Sequence, residues 1–189
     1  MWFADRLSAA ACLIDRLNAV LGRAVAWGTV LIVLVQVAVV LMRYALGLGA
    51  AWLSETIIYA HAGLFLMAAA WTLQAGGHVR VDIFYAPAAP RTKAMIDLVG
   101  ALVFLLPFAV ALGLLALPYV ERSWAVLERS REANGLPLVF LLKSLIPAFA
   151  ASMALQGIAQ AIRAGLALRS PVASTSAVRD ATENSGRPP

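Results

Sequence analysis

The chain has 189 residues, of which 62% are hydrophobic and 13% are charged, and its formal net charge is +5. A soluble domain normally carries about twice that share of charged residues, so the composition argues against an ordinary soluble enzyme and indicates an integral membrane protein. The positive surplus comes without a basic groove or an aromatic ladder, and nucleic acid is therefore not an expected partner.

Four long gaps without Lys, Arg, Asp or Glu divide the sequence. Each holds 19 or more residues, close to the roughly 20 that a helix needs to cross a bilayer. The predicted spans are about 24–42, 54–76, 98–120 and 138–162. We therefore predict an all-α, multi-pass membrane protein with four transmembrane helices in a domain covering 24–166.

The Lys and Arg residues predict the orientation of these spans. With a cytoplasmic N-terminus, ten of the fifteen basic residues fall on the cytoplasmic side, as the positive-inside rule favours. Both termini are therefore predicted to be cytoplasmic. No small-residue cleavage site follows a short apolar run, so a cleaved signal peptide is not expected. The lone cysteine, Cys12, argues against a disulfide framework.

The pattern of residues 1–23 predicts an amphipathic helix before the first span. At 100° per residue, its apolar residues form one stripe and its charged residues lie on the other side. The stripe consists of Phe3, Leu7, Ala10, Ile14, Leu17 and Leu21. Such a helix lies in the cytoplasmic membrane interface or docks on a partner. The alternative is an extension of the first span that emerges from the membrane.

Two polar residues fall inside the first two spans at similar depth. Gln36 lies about two thirds of the way along the first span, and His61 about one third of the way along the second. Because polar groups in lipid need partners, Gln36 and His61 are predicted to bond to each other or to backbone. The alternative is that His61 serves as a proton-relay or ligand residue.

The connection between these spans carries the next candidates. Trp52 is placed for the headgroup level, and Ser54 is a predicted N-cap with Glu55 in the first turn. Arg43 ends the first span on the same side of the membrane, where it could pair with Glu55.

A polar segment follows the second span. Gly76 and Gly77 predict the end of a helix, and His78, Arg80 and Asp82 then alternate with apolar residues. One interpretation is a structured cytoplasmic elbow that fixes this chain against another subunit. The other is a juxtamembrane loop whose charges face water.

The second half of the chain contains fewer candidates. Pro107 predicts a kink in the third span, and Glu121–Ala133 is predicted to be helical beyond it. Lys143 is expected to extend toward the headgroups. Residues 167–189 are polar and rich in Ser, Thr and Pro, and we predict a disordered cytoplasmic tail.

Several kinds of chemistry are missing from the sequence. It has no phosphate-binding glycine loop, no nucleophile elbow and no cluster with metal-ligand spacing. Its two histidines are too few for a two-haem cytochrome with bis-histidine ligation. We therefore predict no catalytic, cofactor or metal site, and a helper or scaffold subunit in preference to an enzyme.

The spaced combination of these motifs resembles the small membrane subunit (DctQ type) of tripartite ATP-independent periplasmic (TRAP) transporters, over about residues 20–165. The residues that carry the resemblance are Arg43-Tyr44 with Gly47, Trp52, Glu55, Trp71, Gly77-His78-Val79-Arg80-Val81-Asp82 and, more weakly, Gly135-Leu136-Pro137. The chain departs from the family in having Ser54-Glu55 where two adjacent acids are common. It also lacks the basic residue that often precedes the Gly-His pair.

The resemblance implies a subunit of the bacterial inner membrane with four spans. It implies a large multi-spanning permease subunit as partner, which carries the substrate and sodium sites and performs the symport. A periplasmic substrate-binding protein would deliver an organic acid. By the same resemblance, the structural or interface residues are Arg43, Trp52, Glu55, His78, Arg80 and Asp82. The alternative function is a self-contained small carrier or exporter that acts as a homo-oligomer, with Glu55 as its transport residue.

Overall fold

The computed structural model describes residues 2–79 and 82–169, and helices make up most of this part, with no strand in it. In chain order the elements are α1 (Trp2–Ala26), α2 (Gly28–Leu46), α3 (Ala51–Gln74), α4 (Asp82–Tyr85), α5 (Pro90–Val99), a π-helical turn (Gly100–Leu105), α6 (Leu106–Ala125) and α7 (Val139–Arg169). Four helical stretches are long and apolar enough to cross a membrane: Ala4–Leu46, Ala51–Gln74, Pro90–Ala125 and Val139–Arg169. The prediction of an all-helical chain with four such spans is confirmed at this level.

The first two spans begin and end at other residues than predicted. The break between α1 and α2 falls at Trp27, and α2 continues to Leu46, where Gly47 takes a left-handed conformation with φ of 67°. Helix α3 already begins at Ala51, so the prediction of Ser54 as N-cap is wrong. The glycine turn reverses the chain within a few residues, and Ser54 is left inside the helix.

The end of α3 agrees with the sequence prediction. Gly76 has φ of 70°, its N–H donates to Leu73 O, and the Gly77 N–H donates to Thr72 O. This is the hydrogen-bond pattern of a Schellman cap, in which glycine is the favoured left-handed residue. The segment that follows, 77–90, is called the elbow below.

The departure from regular helix in the third span lies just before Pro107. Proline has no N–H to donate to the carbonyl four residues earlier. The π-helical turn ends there, and the Leu106 N–H donates to Ala101 O, five residues back. The predicted irregularity at Pro107 is therefore present as a π turn, one of the known causes of bends in long helices.

The prediction of a helix over Glu121–Ala133 is wrong beyond Ala125, where α6 ends. Leu127 adopts a left-handed conformation with φ of 43°, and the Glu128 N–H donates to Ser123 O, which closes a second Schellman cap. Residues 126–138 form a non-helical connection to α7. A leucine in the left-handed region is uncommon, which is why the sequence pattern suggested a longer helix.

Helix α7 lies at the centre of the bundle and packs on α1, α3, α5 and α6. Its buried residues are mainly small ones, which let helix backbones approach closely. They are Ala150, Ser152, Met153, Gln156, Gly157, Ala159 and Ala164. Helix α2, in contrast, packs mainly on α3 and has no buried residue. The helix α7 also includes 167–169 of the predicted tail, and the rest of that tail lies outside the described residues.

Helix α1 packs on α3 and α7 at one end of the bundle. Gly22 packs directly on Trp71 near the end of α3, Asn18 bonds to Gln156 of α7, and Leu7 borders a groove between α5 and the end of α7. This end is called the α1 end. The connections 47–50 and 126–138 lie at the opposite end, called the loop end.

Candidate functional site

Two clusters of hydrogen-bonded polar side chains lie at opposite ends of the bundle. The loop cluster joins Glu55 of α3 and Lys143 of α7 to the 126–138 connection. The α1 cluster joins α1 to α7 through Asp15, Asn18, Gln156 and Arg163.

Glu55 holds the 126–138 connection with both oxygens of its carboxylate. The Ser130 hydroxyl donates to Oε1, and the Leu136 N–H donates to Oε2 over 2.5 Å. Hydrogen bonds to a charged acceptor are stronger than those between neutral groups. The carboxylate is half-buried, and its role in this structure is to fix the path of a connection that is not helical.

Gly135 makes the approach of Glu55 possible. A Cβ atom at this position would lie 2.4 Å from the Ser130 Cβ and 2.7 Å from Glu55 Oε1. We therefore expect Gly135→Ala to displace both partners and to loosen the connection, with a loss of about 1–3 kcal/mol in stability. Thermal unfolding in detergent measures this loss, and Ala133→Gly, in an exposed part of the same connection, is the control. An unchanged midpoint in Gly135→Ala would contradict the packing.

A second carboxylate fixes the start of the connection. Glu128 Oε2 accepts hydrogen bonds from Lys143 Nζ at 2.5 Å and from the Ser123 hydroxyl at 2.7 Å. The hydrogen bond from Lys143 is the main reason that the pKa of the Glu128 carboxyl lies below its ordinary value, and the bond from Ser123 acts in the same direction. Lys143 Nζ also lies 4.0 Å from the centre of the Tyr119 ring. Lys143 is thus paired within the protein, where the sequence suggested only an extension toward headgroups.

The α1 cluster was not predicted, since Asp15 had been placed on the polar side of an amphipathic helix without a partner. Asn18 Nδ2 donates to Gln156 Oε1 at 2.7 Å, and Gln156 Nε2 donates to Asp15 Oδ1 at 3.1 Å. Arg163 pairs with the other Asp15 oxygen at 2.5 Å. Gln156 is fully buried and Asn18 is 4% exposed. A buried polar network of this kind specifies one packing of α1 on α7, because a shifted helix would leave these groups unpaired.

Neither predicted polar pair near the first two spans is bonded within the described residues. Arg43 is exposed, and the two oxygens of Glu55 are bonded to the 126–138 connection, so the suggested Arg43–Glu55 pair is not formed. Gln36 and His61 are both exposed. No hydrogen bond joins them within the described residues, and the His61 ring stacks on Phe65 with centroids 6.4 Å apart.

The other predicted interface residues lie around the two ends of α3. Trp52 is in the first turn of α3 and is 48% exposed. His78 is exposed in the elbow, beside the fully exposed Val79. Arg80 lies outside the described residues, and Asp82 begins α4 but its side chain is not described. Their interface roles stay predictions.

Within 2–79 and 82–169 no three His, Cys, Asp or Glu residues come together as a group able to hold a metal ion. The residues Glu55 and Glu128 lie at one end of the bundle and Asp15 at the other. The hydrogen bonds of these carboxylates join helices and connections to each other.

The comparison with known families identifies a matching family model. A family model described as the DctQ component of the tripartite ATP-independent periplasmic transporters matches residues 32–165, more than half of the chain. The matched range runs from α2 to α7. Helix α1, with Asp15 and Asn18 of the α1 cluster, precedes it. The matched family consists of transporter components and is not an enzyme family. No match was found among the curated proteins or among the solved structures.

Proposed function

Because this chain belongs to the DctQ component family of the TRAP transporters, we propose that it is the small subunit that braces the large, sodium-coupled permease subunit. The family match over residues 32–165 is the observation that carries this proposal. The large subunit would hold the substrate and sodium sites and perform the symport, and this chain would keep the static part of the complex in place.

The bonding of the charged side chains supports a bracing role. Glu55 binds the 126–138 connection, Glu128 ties that connection to α6 and α7, and Asp15 binds α7. A carrier needs ionisable groups that exchange partners along a pathway. Here these carboxylates act as fixed joints between elements, which suits a subunit that keeps one shape.

The proposed setting is the bacterial inner membrane with both termini in the cytoplasm. The loop end would then face the periplasm, where a substrate-binding protein delivers an organic acid to the large subunit. Helix α1 would lie in the cytoplasmic interface. Its contacts with Trp71 near the end of α3 and with Gln156 of α7 support this, as does the exposure of Trp27, 75%, at the border between α1 and α2.

The proposed contacts with the large subunit include the elbow and the 47–50 connection between α2 and α3. In the elbow, His78 and Val79 are exposed, and Ile83 is 79% exposed. Exposed apolar residues beside polar ones are typical of a surface that another protein or lipid covers. The full proposed set of structural or interface residues is Arg43, Trp52, Glu55, His78, Arg80 and Asp82, and Glu55 is the structural member because both of its oxygens bind the 126–138 connection.

Co-expression of the tagged chain with the large subunit of the same transporter tests the proposal. We expect the two chains to purify together in a fixed ratio in mild detergent. We also expect His78→Ala and Asp82→Ala to lower the yield of the complex severalfold, by loss of polar contacts of about 1 kcal/mol each. Arg129→Ala, at the other end of the bundle, should leave the yield unchanged.

The self-contained carrier makes a different prediction for the same material. Proteoliposomes that hold only this chain would then transport substrate, and Glu55→Gln would abolish that transport. Transport by the chain alone, together with failure to bind the large subunit, would overturn the bracing role. Wild-type yields from both elbow variants would remove the elbow from the interface and leave the bracing role in place.

A further inference from the structure

Helix α2 carries a row of polar residues on its exposed surface. Thr29, Gln36 and Arg43 follow one another at intervals of seven residues, and all three are exposed. Seven residues are close to two turns of an α-helix, so these side chains lie in one stripe. The residues Leu34 and Leu41 of the same helix lie on its opposite side, where they are 64% and 59% exposed.

A second polar row on α3 runs beside the first one. Arg43 and Ser54 line the same small cleft between α2 and α3 at the loop end. Gln36 precedes Arg43 by seven residues, and His61 follows Ser54 by seven. Because α2 and α3 are antiparallel, both steps lead about 10 Å from the cleft toward the other end. Gln36 and His61 therefore lie at one depth, on the same side of the helix pair.

The side chains of Gln36 and His61 have no hydrogen-bonding partner within the described part of the chain. Gln36 and His61 form no hydrogen bond, although each lies about 15 Å from the loop end of its helix, within the hydrocarbon region. Unpaired polar groups at that depth are unfavourable in contact with lipid tails. The polar side of the α2–α3 pair is thus suited to contact with protein, and the Leu34 side to contact with lipid.

We propose that the polar side of the α2–α3 pair, lined by Gln36, Arg43, Ser54 and His61, is the surface on which a transmembrane helix of the large permease subunit docks. This inference rests on the proposed function and specifies its interface. The heptad interval on α2 is the spacing that a neighbouring helix follows in left-handed packing. The docking helix supplies polar groups opposite Gln36 and His61.

The charge of Arg43 identifies the occupant as a different chain. Two copies of this chain in one membrane have the same orientation, so a symmetric dimer through this surface would bring the two Arg43 side chains to the same depth. Like charges oppose each other there, and both oxygens of the nearby Glu55 are already bonded. A helix with a carboxylate at the level of Arg43 fits the surface, and a second copy does not.

Site-specific photo-cross-linking tests this surface. A benzophenone amino acid is placed singly at Gln36 and at His61, and at the control positions Leu34 and Leu115, in the chain co-expressed with the large subunit. Leu34 belongs to the same helix, and Leu115 on α6 is 79% exposed. We expect cross-links to the large subunit from Gln36 and His61 and none from the two controls.

The variants Gln36→Leu and His61→Leu give an independent measurement. Each removes one set of interhelical hydrogen bonds, and we expect the affinity for the large subunit to fall by about three- to twentyfold per residue. Leu34→Ala should leave the affinity unchanged.

The outcomes separate the two proposals. A complex that forms normally but cross-links only from Leu34 or Leu115 would overturn the docking surface and leave the bracing role intact. Cross-links between two copies of this chain from Gln36 would overturn it in favour of a homodimer. If the wild-type chain and the large subunit form no complex at all, the bracing role fails and the docking surface fails with it.

Discussion

Replacing Glu55 by alanine should release the 126–138 connection from α3. The substitution leaves the Ser130 hydroxyl and the Leu136 N–H without their acceptor. Hydrogen bonds to a charged acceptor contribute about 1.5–3 kcal/mol, so we expect the connection to open about ten- to a hundredfold more often. Both hydrogen bonds of the carboxylate within the described residues go to the connection, so the helices should stay folded.

Trypsin provides the measurement, because Arg129 and Arg131 lie exposed within the connection. When opening and closing are fast relative to cleavage, the cleavage rate follows the population of the open form. We expect cleavage to be slowest in the wild type and fastest in Glu55→Ala. Glu55→Gln should be cleaved at an intermediate rate. Its amide keeps one acceptor oxygen, but its NH₂ group faces one of the two donors that the carboxylate had accepted from.

Ser130→Ala is the matched control for the size of the effect. It removes one of the two bonds to Glu55, together with the bond from the Glu132 N–H to the Ser130 hydroxyl, and leaves the carboxylate bonded to Leu136, so its cleavage rate should lie between those of the wild type and Glu55→Ala. Equal cleavage of Glu55→Ala and the wild type would show that the carboxylate does not hold the connection. Glu55 would then return as a candidate transport residue.

The number of spans and their approximate positions could be predicted because they depend on local composition. A stretch of about 20 residues without charge is a property of a single segment. The end of α3 could also be predicted, since Gly76 has the left-handed conformation that glycine favours. The end of α6 could not, because Leu127 takes the same conformation without a glycine to signal it.

The polar clusters could not be predicted because their bonds join distant residues. Glu55 and Leu136 are 81 positions apart, and Gln156 and Asp15 are 141 apart. One of the two groups that donate to Glu55 is the backbone N–H of Leu136. Every residue except proline has a backbone N–H, so no side-chain pattern in the sequence identifies this donor. The charged residue types were visible in the sequence, and their pairing was decided by how α1 and the 126–138 connection fold back on the bundle.

Replacing Gln156 by leucine should weaken the attachment of α1 to α7. Gln156 bonds to both Asn18 and Asp15, and the substitution leaves the buried Asn18 amide without a partner. An unsatisfied buried polar group costs about 1–3 kcal/mol. We expect a loss of that size in the free energy of unfolding, measured by titration with a denaturing detergent in mixed micelles.

The double variant Asn18→Leu, Gln156→Leu distinguishes a bonded network from simple packing. Replacing both partners by apolar groups removes the unsatisfied amide, so the double variant should be more stable than the sum of the two single losses predicts. Arg23→Ala is the control on α1, because Arg23 Nε donates to the Ala19 carbonyl of its own helix and Arg23 takes no part in the α1 cluster. Additive losses in the double variant would show that Asn18 and Gln156 act independently.

The same variants test how α1 belongs to the fold. The family match begins at residue 32, after α1, whereas Gln156 and Arg163 lie inside the matched range. If the α1 cluster fixes α1, trypsin should cut Gln156→Leu faster at the exposed Arg16 while α3, α6 and α7 remain intact. Faster cleavage confined to α1 would show that this helix is held to a separately stable bundle by the cluster. Loss of the whole bundle would make α1 part of one cooperative unit with α3, α6 and α7.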